Sequence, residues 1–481
     1  MMLDIRVLTR LALLLAVLSL AGCGPRPLGE AEKTMSMRVV ASKARQAVER
    51  QTGADLSTIG WEVAGVYRMS RLMYRENLEY FKVTLGDKAI SRELAEQSAS
   101  LDADTVLGLY KRNLRKVFVN TYRLDEISSA DRLQRYMKKA CSEYGRRCGD
   151  LQFRNGWISE GQARKQLAMA LFIHEYSHAA ADLQNLIRFP ERYSPGVSEV
   201  THVINEGYAE YMTEKICQHA GCELGYLYLA DYSSSLEHAR DDDERHYLEV
   251  ELKIRQFTYG QGQRIVEHLV GLEDQLDRLK SFLARRPSSL FRLSAGNEES
   301  GYPQSETVRM LTLLGHLQAA LLQKGWVAQK NVLYPAESEY LTRLLLGNGW
   351  QRDASGPNQA VVLRLNRMDL FSLYQGESET AGQYLLLKDF GSSERAKAAA
   401  EQGRNLLLKN VAGQSVRPGV AAAVQRQDDW ISLVQIDRYL LLAKSQLNLL
   451  GTPELAGLER LIKTDPPEGG SAGFSHFRQL D

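Results

Sequence analysis

Apolar residues recur at two different spacings along the chain, and the change from one to the other divides it. From about Ala31 to Lys280 they fall mostly at helical spacing, in stretches such as Ser91 to Leu101 and Leu107 to Phe118. Ser159 to Ile187 is the strongest helical candidate, with Leu167, Leu171, Ile173 and the run Ala179-Ala180-Ala181, and a second helical stretch opens at Asn205. Between Arg286 and Ser305 a stretch rich in Pro, Ser, Gly and Asn interrupts the period, and a helix is expected from about Glu306 to Lys324. This places a boundary near residue 330. Beyond it, Glu337 to Leu346 reads as a helix stopped by Gly347, and Ser393 to Lys409 as an Ala- and Leu-rich helix. Ala360 to Leu365 and Tyr384 to Lys388 read as strands, and Ile431 to Ile436 with Tyr439 to Ala443 flank Asp437-Arg438 as a hairpin. Helix and strand mixed in this way predict a small α+β domain, a sandwich being one form it could take.

The first residues form a separate pattern. Arg6 and Arg10 precede Leu11 to Leu20, a run of about ten apolar residues that suits a secretory leader and falls short of a bilayer about 30 Å thick. Residues 1–22 are therefore expected to be a signal peptide. Leu20-Ala21-Gly22-Cys23 resembles the lipobox of bacterial lipoproteins, which implies lipidation at Cys23 and a tether over residues 23–35, where Gly24, Pro25, Pro27 and Gly29 cluster. Gly24, standing where an Asp would imply retention at the inner membrane, implies an outer-membrane anchor facing the periplasm. The other four cysteines form two close pairs, Cys141 with Cys148 and Cys217 with Cys222. In an oxidising compartment they suggest two local disulfides, whereas a four-cysteine zinc site would call for tighter spacing.

Composition narrows the function classes. With 481 residues, 44% of them apolar and 25% charged, the chain can fill two or three cores, and global disorder is excluded. Sixty Lys and Arg against 59 Asp and Glu leave a net charge of +1, so no whole-chain field favours a nucleic-acid partner.

Candidate chemistry lies in the long helix, at His174-Glu175-Tyr176-Ser177-His178. Residues four apart share a helix face, so both imidazoles can reach one metal ion, while Glu175, rotated by about 100°, can face a water at that ion. A third histidine at the metzincin spacing is lacking, because that position is Gln184 and the usual glycine is Ala181. Downstream, however, Asn205-Glu206-Gly207-Tyr208-Ala209-Glu210-Tyr211 is similar to the second motif of the gluzincin metallopeptidases. The resemblance implies Glu206, 28 positions past His178, as the third zinc ligand. Glu210, one turn further on the same face, is either a carboxylate that steadies the His174 ring or a solvated helix residue. His202 is close enough in sequence to compete as a ligand, although a surface or core role suits it better. Gluzincin-like proteins often carry a downstream tyrosine whose hydroxyl stabilises the oxyanion. Tyr259, in Phe257-Thr258-Tyr259-Gly260-Gln261-Gly262, is the candidate, the alternative being an ordinary turn tyrosine.

The resemblance implies a mainly α zincin-like metallopeptidase domain over residues 36–330, followed by a small α+β domain over 331–481 without an assigned role. The expected activity is Zn2+-dependent hydrolysis of a protein or peptide substrate in the cell envelope, with Glu175 as general base. No Gly-x-Met-x-Asn segment is present to bind a free amino terminus, so endopeptidase action is favoured over aminopeptidase action. The competing expectation is an envelope lipoprotein that uses a peptidase-like domain to bind protein partners without cutting them.

Overall fold

Long helices build the first half of the chain in the computed structural model, and an antiparallel sheet builds the second. The structure describes residues 30–85, 89–129, 160–194, 196–222, 252–271, 275–290, 304–322, 326–347, 359–367, 383–409, 415–417 and 421–464, with isolated positions between them. The expected signal peptide, Cys23, Cys141 and Cys148 lie outside the described residues. Of the expected tether, the last residues already belong to helix α1 (Glu30–Thr52).

After α1 come β1 (Gly60–Val63), α2 (Val66–Leu85), α3 (Ala89–Thr105), β2 (Gly108–Lys111), β3 (Lys116–Val119) and α4 (Thr121–Ile127). The long helices α5 (Glu160–Leu183) and α6 (Val197–Ala220) follow, then a π-helical turn over Gln256–Gln261, α7 (Gly262–Val270) and α8 (Leu276–Ala284). The three strands pair in the order β1-β3-β2, with β1 parallel and β2 antiparallel to β3. The helical expectation for Leu107 to Phe118 is thereby overturned. Val117 and Val119 enter the main helical core while Phe118 enters a second one, which is the alternation of a strand buried on both faces. A short 3-10 turn at Arg112–Leu114 and the left-handed Arg115 (φ 46°) separate the two strands.

The largest core of this first unit joins its long helices. Ala168, Phe172, Ile173, Tyr176 and Ala179 to Ala181 of α5 are buried with residues of α1 and α6. The small alanines let helix axes approach closely, and Phe172 stacks on Tyr176 with ring centroids 5.9 Å apart. Gly221 closes α6 in the left-handed conformation (φ 69°), and the disulfide Cys217–Cys222 spans that cap, as one of the two expected pairs.

The second unit contains α9 (Gln304–Leu321), β4 (Trp326–Val332), α10 (Pro335–Leu346), β5 (Gln359–Arg367), β6 (Gln383–Asp389), α11 (Ser393–Leu408), β7 (Ser415–Arg417), β8 (Ala421–Arg426), β9 (Asp429–Ile436), β10 (Tyr439–Ser445) and α12 (Pro453–Thr464). Its seven strands run β4-β5-β6-β10-β9-β8-β7, every neighbouring pair antiparallel. Alternate residues face opposite ways. Val361, Leu363, Leu441 and Ala443 pack under α9 and α12, whereas Ala360, Val362, Leu440 and Leu442 pack under α10 and α11. A single sheet covered by helices on both faces therefore replaces the sandwich, and double burial explains apolar runs such as Tyr439 to Ala443. Asp437, at φ 51°, turns the expected hairpin. Because α9 and β4 belong to this core, the second unit begins upstream of residue 331. Among the described residues no helix is long and apolar enough to cross a membrane.

Candidate metal centre and cleft

Two adjacent helices bring together the residues singled out in the sequence. On α5, the four-residue spacing brings His174 and His178 together edge-on, with ring centroids 4.7 Å apart and Nε2 atoms 3.1 Å apart. From α6, Glu206 Oε2 stands 3.2 Å from His174 Nε2 and 3.5 Å from His178 Nε2. All three side chains can place a ligand atom within 4.8 Å of the others, and among the described residues no other group of His, Cys, Asp and Glu does so.

These atoms could hold a metal ion. A tetrahedral centre about 2.0–2.1 Å from each donor separates the donors by about 3.3–3.4 Å, close to the three spacings observed. Electrostatics point the same way. Burial works against a charged His174, but the Glu206 and Glu210 carboxylates outweigh it and lift its proton affinity well above that of an ordinary imidazole. Burial also pushes Glu206 up, and His178 and His174 reverse this, holding its carboxyl well below the usual range. The pocket thus favours positive charge at the point where the three donors meet.

Glu210 lies one turn beyond Glu206, with Oε1 3.0 Å from His174 Nδ1. It sits behind the imidazole rather than in solvent, where it can fix the ring's orientation. Glu206 also has His202 as a neighbour, whose Nδ1 is 3.8 Å from Oε1. His202 is about half exposed and is not grouped with the three donors.

Glu175 is buried on the flank of α5 that faces β2. The Tyr110 backbone N–H donates to its carboxylate, and a Cβ at Gly108 would lie 2.9 Å from Glu175 Oε1 and 2.7 Å from Leu171 Cδ1, so a larger residue there would displace these side-chain ends. Burial raises the proton affinity of Glu175, against the pull of His174 and His178. Such a carboxyl is a better base than one in water.

Tyr259 occupies the π-helical turn, its ring centroid 6.2 Å from that of His174. Burial first, then the Glu206, Glu210 and Glu175 carboxylates, drive its hydroxyl well above the ordinary range, so it remains a neutral O–H donor. The turn is held against α6 by an approach that requires two glycines. A Cβ at Gly207 would lie 2.2 Å from the Gly262 carbonyl carbon, and one at Gly262 would lie 2.6 Å from the Val203 carbonyl oxygen. Gly207 immediately follows Glu206, and Gly262 is three residues past Tyr259, so the close approach lies next to both in the chain.

A cavity of about 860 Å³ opens onto these groups. It includes two features that the sequence did not disclose. One is β2, an outer strand of its sheet, whose residues Gly108 to Tyr110 line one side. The other is a wall from the second unit, formed by Asn331, Val332, Tyr334 and Glu337. Tyr80 of α2 ties that wall to the first unit by donating to Asn331 Oδ1 at 2.6 Å and accepting from Gln329 Nε2 at 3.2 Å. The close packing at Gly207 also went unread in the sequence, and no local pattern announces which surface of a second domain will face a cleft. Comparison of the chain with protein-family models, with curated proteins and with solved structures finds no match.

Proposed function

We propose that the protein is a gluzincin-type, zinc-dependent endopeptidase of the bacterial cell envelope, anchored by a lipid at Cys23 to the outer membrane and facing the periplasm. The observation that carries this reading is the convergence of His174, His178 and Glu206 from two helices, with the buried carboxylate of Glu175 and the hydroxyl of Tyr259 beside the same cavity. Two imidazoles and one carboxylate match the donor set of catalytic zinc sites. When bound, zinc supplies Lewis acidity, lowering the pKa of a coordinated water from 15.7 to about 7 and polarising a peptide carbonyl.

The chain's own groups do the rest. His174, His178 and Glu206 hold the ion, and Glu210 keeps the His174 ring aimed. Glu175, its basicity raised by burial, takes the proton of the attacking water and passes it to the departing amine. Tyr259, kept neutral, donates its O–H to the oxyanion that forms on the substrate. The outer strand β2 offers backbone groups along which an extended peptide can lie beside Glu175. The leader pattern, the lipobox-like Leu20 to Cys23 and the disulfide Cys217–Cys222 support an extracytoplasmic location.

Glu175→Gln tests this reading, because it keeps the side-chain shape and removes the base. The expected result is one bound zinc per chain and loss of cleavage of casein or envelope proteins, with wild-type cleavage abolished by a chelator. Cleavage at the wild-type rate by Glu175→Gln would refute the role assigned to Glu175. Zinc binding by the wild type without cleavage would favour a binding protein instead.

A further inference from the structure

Glu199 lies on the cleft side of α6, seven residues before Glu206, and has no part in the chemistry above. The Tyr193 hydroxyl donates to its Oε1. Its Oε2 is shielded from solvent and has no hydrogen-bond partner, and among the described residues no basic side chain pairs with it. The surroundings are aromatic and acidic. Tyr80 stands edge-on to Tyr193 with ring centroids 5.0 Å apart, and Tyr334 and Glu337 complete the wall from the second unit. Glu337 is already engaged, accepting from the Tyr334 backbone N–H and lying 3.7 Å from Arg364, whereas Glu199 keeps one carboxylate oxygen, Oε2, without a hydrogen-bond partner and no cation beside it among the described residues. Burial pushes Glu199 up to about 7, Glu337 adding to it, even though the Tyr193 hydroxyl and the backbone N–H groups of Glu199 and Gly196 favour the carboxylate; a cation beside it would remove that cost.

Carboxylate oxygens framed by tyrosine rings recognise an amine or guanidinium cation, through charge and through the negative ring faces. We propose, resting on the peptidase reading, that Glu199 with Tyr193, Tyr80 and Tyr334 forms a subsite for a cationic group of a peptide ligand. Seven residues of helix rise by about 10 Å, which an extended peptide covers in about three residues. The subsite therefore selects a positive charge some three residues from the bond to be cut. That charge is either a Lys or Arg side chain, which suits an endopeptidase, or the peptide's own α-ammonium group, which would confine cutting to chain ends.

Binding, measured without turnover, tests the subsite separately from the activity. Full-length Glu175→Gln protein is titrated with three fluorescent Ala- and Leu-based hexapeptides: one N-acetylated with a single Lys, one N-acetylated with Gln in its place, and one with a free amino terminus and Gln. The expected result is at least tenfold tighter binding of the Lys peptide than of the acetylated Gln peptide, with the difference removed by adding Glu199→Gln and retained in part by Glu199→Asp. If the free-amino peptide alone gains affinity, the α-ammonium is the recognised group. Equal binding of all three, no binding of any, or a Lys preference that survives Glu199→Gln in folded protein overturns the proposal. Tight, Glu199-dependent binding combined with no hydrolysis by the wild type would leave the subsite standing and remove the peptidase reading.

Discussion

Replacing Gly207 by Ala adds one methyl group at the tightest point between the helix that carries Glu206 and the turn that carries Tyr259. The new Cβ would lie 2.2 Å from the carbonyl carbon of Gly262, 2.3 Å from its oxygen and 2.8 Å from the backbone nitrogen of Gln263. All three are backbone atoms, so no rotamer change relieves the overlap. Ordinary contact begins at 3.4 Å, and α6 must separate from the turn by about 1 Å. Overpacking of this kind costs about 1–3 kcal/mol, and in a unit of roughly this size each kcal/mol lowers Tm by roughly 2–4 °C. The expected fall is therefore about 2–12 °C. Metal–ligand distances tolerate only about 0.2 Å of error, so a shift of Glu206 on this scale should also weaken zinc binding at least tenfold. Gly161→Ala is the control, because nothing lies within 4 Å of a Cβ there, and in its helix the substitution should be neutral or stabilising by up to about 1 kcal/mol. Thermal unfolding with and without chelator, and zinc competition against a chromogenic chelator, measure both effects. Gly207→Ala with Tm and zinc affinity equal to the wild type would refute the argument that this contact positions the site.

Three further outcomes are expected. Glu210→Ala, which frees His174 Nδ1 from its carboxylate neighbour, should weaken zinc binding by about 10–100-fold while the fold persists, as read by competition titration and circular dichroism. Tyr259→Phe should retain zinc and lower kcat by about 10²–10³-fold with little change in KM, if its hydroxyl acts only on the developing oxyanion; unchanged kcat would make it a packing residue. Glu199 is raised from 4.5 to about 7 by burial, so its protonated form is favoured by folding; its contribution is complete below about pH 4.5 and is lost as pH rises toward 7, on the order of 3 kcal/mol. Denaturant unfolding of Glu199→Gln at pH 5 and pH 8 should show that slope flattened, and an unchanged slope would mean that Glu199 does not titrate in this window.

The sequence disclosed local features better than their assembly. His174 and His178 were legible because a spacing of four fixes two side chains on one helix face without help from the rest of the fold. Glu206 came from the resemblance of its motif, since helical periodicity alone assigns no partner to a glutamate. Strands β5, β6, β9 and β10 were legible from short apolar runs, whereas β4, β7 and β8 were not expected; such runs also do not say whether helices or another sheet cover them, and helices cover both faces here. Leu107, Tyr110, Leu114, Val117 and Phe118 mimic a helical stripe, although Gly108 and the left-handed Arg115 belong to strands and their turn. The wall formed by Asn331 to Glu337 depends on how two units pack, which no local pattern encodes.

Anomalous diffraction at the zinc edge, from crystals of the full-length protein supplied with one equivalent of zinc, asks the central question directly. The expected result is one peak per chain about 2.0–2.2 Å from His174 Nε2, His178 Nε2 and a carboxylate oxygen of Glu206. A peak elsewhere, or none with the three side chains placed as described, would contradict a metal centre at this site.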